Sequence, residues 1–454
     1  LSALGVKPCD RVAAQIEKSA EGLVLYLATI RAGAVFLPLN PAYTLAELGF
    51  FLADAEPALV VVDPARRDEV ATLAARVETL DGVGEGSLAD LAALAPDSFH
   101  TVPRGLADLA AICYTSGTTG LSKGAMLSHG ALVSNARTLR DLWRFAADDV
   151  LIHALPIYHV HGLFIATHVA MTAGAAMILQ PRFDADAVIG AMPRATALMG
   201  VPTFYTRLLA HPGLTRHSAA SMRLFISGSA PLLAQTHDAW RARTGHAILE
   251  RYGLTETGMS ASNPYEGERR AGTVGFALPG VKLRIVGSDG ESLPLGEIGA
   301  IEVEGPNVCS GYWRDPDKTA LAFRPDGFFI TGDLGVIDAC GYLAIVGRDK
   351  DLIITGGLNV YPREVEGAID ALPGVTESAV IGLPHPDFGE AVTALVVGAA
   401  GLSEAAILAA LAPDMARFKQ PKHVLFVGDL PRNPMGKVRK ALLRERYADL
   451  YAQS

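Results

Sequence analysis

Tyr114-Thr-Ser-Gly-Thr-Thr-Gly-Leu-Ser-Lys-Gly124 packs three glycines and five serine or threonine hydroxyls into one short run behind an apolar stretch. Small residues free backbone N–H groups, which together with hydroxyls can wrap an anion such as a phosphate. Lys123 adds a positive charge. The spacing is not that of the P-loop, where Ser or Thr follows the lysine to hold a metal; here Gly124 follows. A flexible surface loop is the bland alternative, and the density of hydroxyls argues against it. The nucleotide-binding candidates in this run are Thr115, Ser116, Gly117, Thr118, Thr119, Gly120 and Lys123.

Four further segments set glycine or proline beside charged or aromatic residues: Arg251-Tyr-Gly-Leu-Thr-Glu256, Thr331-Gly-Asp333, Gly347-Arg-Asp-Lys-Asp351 and Pro431-Arg-Asn-Pro-Met-Gly-Lys437. With the hydroxyl loop, in this order and spacing, they resemble the core motifs, hinge and C-terminal catalytic loop of the adenylate-forming acyl-CoA synthetase superfamily. The resemblance implies an α/β fold. A large N-terminal domain, 1–348, would hold layered α/β sheets plus a β-rich subdomain, and 349–454 a small mobile α+β domain. It also implies an AMP-forming acid–thiol ligase using ATP, CoA and Mg2+.

The roles implied for single residues each have a physical reading. Gly228-Ser-Ala-Pro231, with Ser229, Ala230 and Pro231 as the binding candidates, is a turn that in the family lies against adenine; alone it is an ordinary turn. Tyr252, beside Gly253, offers a flat face to a purine. Glu256 is a carboxylate suited to Mg2+, which binds through few protein oxygens plus phosphates, with Thr115 as the second expected contact. Thr255 and His159 are expected at the reacting centre. Asp333 can accept from both ribose hydroxyls and Arg348 can donate to the same sugar, although an Asp after Gly is commonly a turn residue.

Lys437 carries the first step in the family. A carboxylate attacking the α-phosphate brings negative charge onto negative charge, and a fixed ammonium stabilises that transition state more than the ground state. Without the motif, Lys437, Arg439 and Lys440 read as a solvated basic tail. A lysine acetyltransferase acting on Lys437 is a further expected partner. For the second step the small domain would rotate about Asp349, withdrawing Lys437 and bringing Gly356-Gly357 to a narrow pantetheine tunnel. The glycine pair reads equally as a plain turn.

His159-Val-His161-Gly162 and Val201-Pro-Thr-Phe-Tyr-Thr-Arg207 fall in the two segments that shape the family's acyl pocket. An unpaired cation there would be very costly, so Arg207 calls for a second carboxylate on the substrate, which it can bind bidentately. This is similar to the malonyl-CoA synthetases within the superfamily. The acyl-binding candidates are Arg207, His161, Arg251 and Met259. Against this, Arg207 can snorkel from a helix to solvent, and the two histidines can be a metal pair lacking a third ligand. Gly258-Met259-Ser260-Ala261 departs from the amide-rich segment expected there. Malonate is the acid read here. The rivals are methylmalonate or another small acid, a carrier-protein-loading domain, and a catalytically dead regulator, which the presence of both Lys437 and Glu256 opposes.

These residues need a scaffold. Short apolar runs at Leu59–Val62, 111–114, 150–155, 175–179, Ala197–Gly200 and Leu224–Ser227 read as strands, separated by helical stretches such as 22–32. That alternation argues for largely parallel sheets. The spacing predicts a helix over 127–137. From 272 to 311 the pattern is antiparallel. The last hundred residues read as a smaller unit, ending in a basic helix over 437–447.

The chain has 454 residues, 50% hydrophobic and 19% charged, which excludes a disordered protein. Gly 46 and Pro 27 without a repeat exclude a collagen-like one. A net charge of −9 without a long basic run argues against nucleic acid as a partner. Cys9, Cys113, Cys309 and Cys340 lack metal-ligand spacing and are expected as buried thiols of a reducing compartment. Residues 153–181 carry no formal charge, yet Pro156 and several histidines favour buried loop, helix and strand over a membrane span. The chain opens on Leu within an ongoing pattern, so a missing N-terminus is expected. A cytoplasmic location is expected, where ATP and CoA meet.

Overall fold

Runs such as Leu59–Val62 and Ala197–Gly200 are buried at every position, the pattern of a strand covered on both faces. The computed structural model describes residues 1–115, 122–433 and 436–451. Its first sheet has six strands in the order Val77–Thr79, Leu59–Val62, Arg11–Gln15, Val35–Pro38, Leu109–Thr115 and Lys123–Ser128; only the last pair is antiparallel. The second has seven: Phe276–Ala277, Gly258–Ser262, Leu249–Leu254, Leu224–Ser227, Ala197–Gly200, Val150–His153 and Ala176–Leu179. It is parallel from Leu249–Leu254 onward. One core joins the two, with Tyr26, Phe36, Leu151, Phe164 and Met199 among its members.

Helices begin where the sequence supplies caps. Ser19 accepts from the Gly22 N–H to open Ala20–Arg31, and Thr44 forms a capping box with Glu47 before Leu45–Ala55. A third sheet, Lys282–Val286, Gly299–Glu304, Phe329–Ile337 and Leu343–Arg348, is wholly antiparallel. The fourth is built from Ile353–Thr355, Leu358–Val360, Val375–His385, Gly389–Gly398 and His423–Phe426, with its own core around Ile353, Val365, Val380 and Val392. The layered α/β class, the β-rich section and the α+β C-terminal unit are as expected.

Three local expectations are corrected. Residues 127–137 are not one helix: Lys123–Ser128 is a strand, and the helix is His129–Leu142, capped by Ser128. Its helix-forming Ala, Met and Leu are recruited by pairing with Leu109–Thr115, since strand context outweighs propensity. The terminal helix is Lys440–Arg446, because the Asn433 N–H bonds the Lys437 carbonyl and holds Lys437 in a turned loop. Cys9 and Cys340 are exposed, while Cys113 and Cys309 are buried; all four are free. The uncharged stretch is strand end, loop, helix and strand, and no described helix is long and apolar enough to cross a membrane.

Candidate active site

A cavity of about 320 Å3 lies between the strand ends of the second sheet and the C-terminal unit. Ser229, Ala230, Pro231, Arg251, Tyr252 and Gly253 line one side, Asp333 and Arg348 the floor, and Asp351, Arg363 and Lys437 the other side.

An irregularity places Tyr252. The register against Gly258–Ser262 shifts between Tyr252 and Gly253, where a Cβ would lie 1.9 Å from the Gly258 carbonyl oxygen. Glycine alone allows that approach. The Tyr252 hydroxyl then donates to Asp333 Oδ2 at 2.6 Å. Asp333 sits opposite Arg348 in strand register, and Arg348 Nε reaches Asp333 Oδ1 at 2.6 Å. One carboxylate thus ties two motifs to the strand Leu343–Arg348. Its oxygens keep further lone pairs for a ligand. Ser229 takes a left-handed φ of 70°, turning Ser229–Ala230–Pro231 along the cavity edge.

Lys437 follows Gly436, whose φ is 77°, and its N–H donates to Asn433 Oδ1 at 2.9 Å. The side chain keeps solvent contact at the cavity mouth. Surrounding protein atoms, then Arg348, pull its ammonium down to about 8, while Asp333 acts in the opposite sense.

Glu256 accepts from the Tyr312 hydroxyl at 3.1 Å, and burial pushes its carboxyl above the ordinary range. Its charge reaches Cys113, on the strand that ends at Thr115. Thr115 pairs in register with Lys123, so the two ends of the hydroxyl loop are held together. Ser116, Gly117, Thr118, Thr119 and Gly120 lie outside the described residues. Thr255 lines a small neighbouring cavity with Asn135 and Asn307 rather than the main one. One carboxylate with nearby hydroxyls is a hard-oxygen donor set. That fits Mg2+, which needs few protein ligands beside phosphate, and no cluster of three metal-binding side chains occurs among the described residues.

On the side formed by Ser229 and Tyr252, Arg251 is 3% exposed, and its Nε and Nη2 find no acceptor among the described residues. Burial pulls the guanidinium down to about 9, opposed by Tyr205 and Glu250. His161 Nδ1 lies 3.2 Å from Ser229 Oγ, and its Nε2 is also unpartnered. His159 Nδ1 accepts from the His161 N–H at 3.2 Å; neither ring lines the cavity itself, and His161 stands behind Ser229, which does. Burial, then the Arg251 charge, holds both imidazoles down, His159 at about 4. They are neutral at pH 7. A buried cation, orphaned N–H groups and neutral rings make a site short of one anion.

Arg207 is not that cation. It is exposed on the helix Pro202–Ala210, whose cavity face is formed by Pro202, Thr203 and Thr206. Its side chain runs to solvent and does not line the cavity, although Thr203 one turn earlier does. Met259 is 3% exposed in the core beneath Gly253, where a Cβ would lie 2.8 Å from its Cε, and it does not line the cavity. Gly356 and Gly357, with φ of 57° and 80°, make the exposed turn between Ile353–Thr355 and Leu358–Val360, away from the cavity wall. Asp349 is exposed at the start of the 3-10 turn Asp349–Asp351. Gly228, the first residue of the adenine turn, also lies beside Arg251. Two residues escaped sequence reasoning: Tyr312 on Glu256, and buried Glu250, whose carboxyl burial pushes up to about 7. Nothing local marks them.

Residues 1–313 match the family model described as AMP-binding enzyme, and residues 364–437 that of the AMP-binding enzyme C-terminal domain. The crystal structure of ATP-bound MatB from Rhodopseudomonas palustris is 62% identical, with a TM-score of 0.98 over 99% of this chain and 91% of that one. The indoleacetate–CoA ligase of Aromatoleum aromaticum is 39% identical, across 99% of this chain and 90% of its own. The malonate–CoA ligase of Arabidopsis thaliana is 34% identical, across 96% and 78%.

Proposed function

Because the chain belongs to the AMP-binding enzyme family, we propose that it is an AMP-forming ligase joining malonate to CoA through malonyl-AMP. One observation carries the choice of acid: the buried Arg251 guanidinium, with N–H groups unmet, beside neutral His161. A monocarboxylate would put an apolar tail against that charge. The distal carboxylate of malonate would satisfy it, and a malonate–CoA ligase stands among the relatives.

In this reading adenine lies along Ser229–Ala230–Pro231 and the Tyr252 face, and the ribose hydroxyls meet Asp333 and Arg348. The hydroxyl loop from Thr115 to Lys123 wraps the phosphates. An oxygen of the reacting carboxylate attacks the α-phosphorus, the bond to the bridging oxygen breaks, and pyrophosphate leaves. The attacking group is already ionised, so no general base is required. Lys437 stabilises the charge that builds at phosphorus. Glu256 and the Thr115 hydroxyl would hold Mg2+, which would supply charge neutralisation at the phosphates.

Rotation at Asp349 of residues 349–454 against 1–348 then withdraws Lys437 and brings Gly356-Gly357 to the pantetheine. The CoA sulfur attacks the acyl carbon and AMP departs. A lysine acetyltransferase acting on Lys437 would find it accessible at the cavity mouth and would remove its charge. The cytosol supplies both cosubstrates. A panel of small acids, assayed for CoA-dependent AMP and pyrophosphate release, tests the reading. Malonate should lead. Preference for a monocarboxylate would overturn the choice of acid.

A further inference from the structure

Lys18 is 5% exposed, between the strand Arg11–Gln15 and the helix Ala20–Arg31, with no carboxylate paired to it among the described residues. Burying a charge there has a cost that Leu or Met would avoid. What the side chain gains is geometric. Its Nζ lies 2.7 Å from His153 Nδ1, 2.5 Å from the His153 carbonyl oxygen and 2.9 Å from the Leu155 carbonyl oxygen.

An ammonium has three N–H donors and no acceptor, and here it meets three acceptors. Burial pulls Lys18 down to about 6, whereas three acceptors around Nζ bond the charged form and favour it. His153 must then present a lone pair at Nδ1, so its ring proton sits on Nε2. That nitrogen is 3.0 Å from the Gly162 carbonyl oxygen and 3.1 Å from Thr167 Oγ1. The Thr167 hydroxyl donates to the same carbonyl at 3.0 Å. With the proton on Nδ1 instead, Nε2 and the Gly162 carbonyl would face each other as two acceptors.

The bonds close a loop. His153 begins it and Gly162 ends it, and a Cβ at Gly162 would lie 2.0 Å from the Pro156 carbonyl oxygen. The Leu163 N–H bonds the His159 carbonyl at 2.9 Å within the same turn. The loop carries His159 and His161, and His161 meets Ser229 beside Arg251.

We propose that Lys18 and His153 are positioning residues for the acid end of the site: Lys18 selects the His153 tautomer, His153 holds Gly162, and His161 is thereby set against Ser229. The inference rests on the reading of that end as the acid pocket. It predicts a selective effect, because Asp333 and Arg348, read as the ribose contacts, lie on strands that these bonds do not touch.

The test uses the full chain in three forms: wild type, Lys18→Met and Thr167→Val. In malonate-dependent pyrophosphate exchange, losing this hold should raise the malonate KM about ten-fold in Lys18→Met and about three-fold in Thr167→Val, with the ATP KM unchanged. If Lys18→Met does not fold, Thr167→Val carries the kinetic test. Nitrogen-15 spectra of histidine-labelled wild type, with His153 assigned through His153→Gln, should show the proton on Nε2. A parallel rise in the ATP KM, an unmoved malonate KM, or a proton on Nδ1 would overturn the proposal. A wild type without malonate-dependent exchange would instead overturn the functional reading. The tautomer is read without substrate and judges this inference by itself.

Discussion

Gly228 leaves open the flank of the Arg251 guanidinium: a Cβ at residue 228 would lie 2.4 Å from Arg251 Cζ. The backbone of Gly228 is not in the left-handed region, so the constraint is contact and not φ. Gly228→Ala should leave the protein folded and displace the buried fork of Arg251. We expect kcat/KM for malonate to fall about ten-fold or more, with propionate affected far less. Steady-state kinetics with the two acids decide it, and equal losses would show a general packing defect.

Lys437 has its ammonium held down to about 8, so the charge is present below that pH and lost above it. In pyrophosphate exchange kcat/KM should decline as pH rises through about 8. Lys437→Arg, whose charge persists, should move the alkaline decline upward. Lys437→Ala should abolish exchange yet spare thioester formation from supplied malonyl-AMP. Loss of both half-reactions would contradict the division of labour.

Asp349→Pro should separate the half-reactions in the opposite direction. Residue 349 opens a 3-10 turn, where proline is tolerated, and Arg348 before it is extended, with φ −101° and ψ 139°, as a residue preceding proline requires. The substitution therefore suits the present arrangement, in which Lys437 faces the cavity, and stiffens the pivot. Exchange should survive while CoA consumption falls. Normal turnover of CoA would move the pivot elsewhere.

Much of this was legible because the chemistry is local. Strands Leu59–Val62, Ala197–Gly200 and Leu224–Ser227 are unbroken buried runs bounded by turn signals, and each motif keeps its ligand-facing residues within a few positions. The two arginines show where locality ends. Arg207 and Arg251 stand in equally suggestive contexts, but only tertiary packing decides exposure. Arg207 is exposed on the helix Pro202–Ala210 and runs to solvent. Arg251 follows Glu250 on a strand covered on both faces, so both are buried. Lys18 was silent for a similar reason, since its acceptors lie on a strand end more than a hundred residues away.

Arg251 as the receptor for a second carboxylate is measured most directly by kcat/KM for malonate and for propionate in wild type and Arg251→Met. A hydrogen bond to a charged group contributes roughly 1.5–3 kcal/mol, so malonate use should fall about 10- to 100-fold. Propionate use should be unchanged or improved, because methionine removes an unpaired buried charge. Arg207→Ala, on the exposed face of its helix, should alter neither value. Parallel loss of both acids in Arg251→Met, or undiminished use of malonate, would contradict the account.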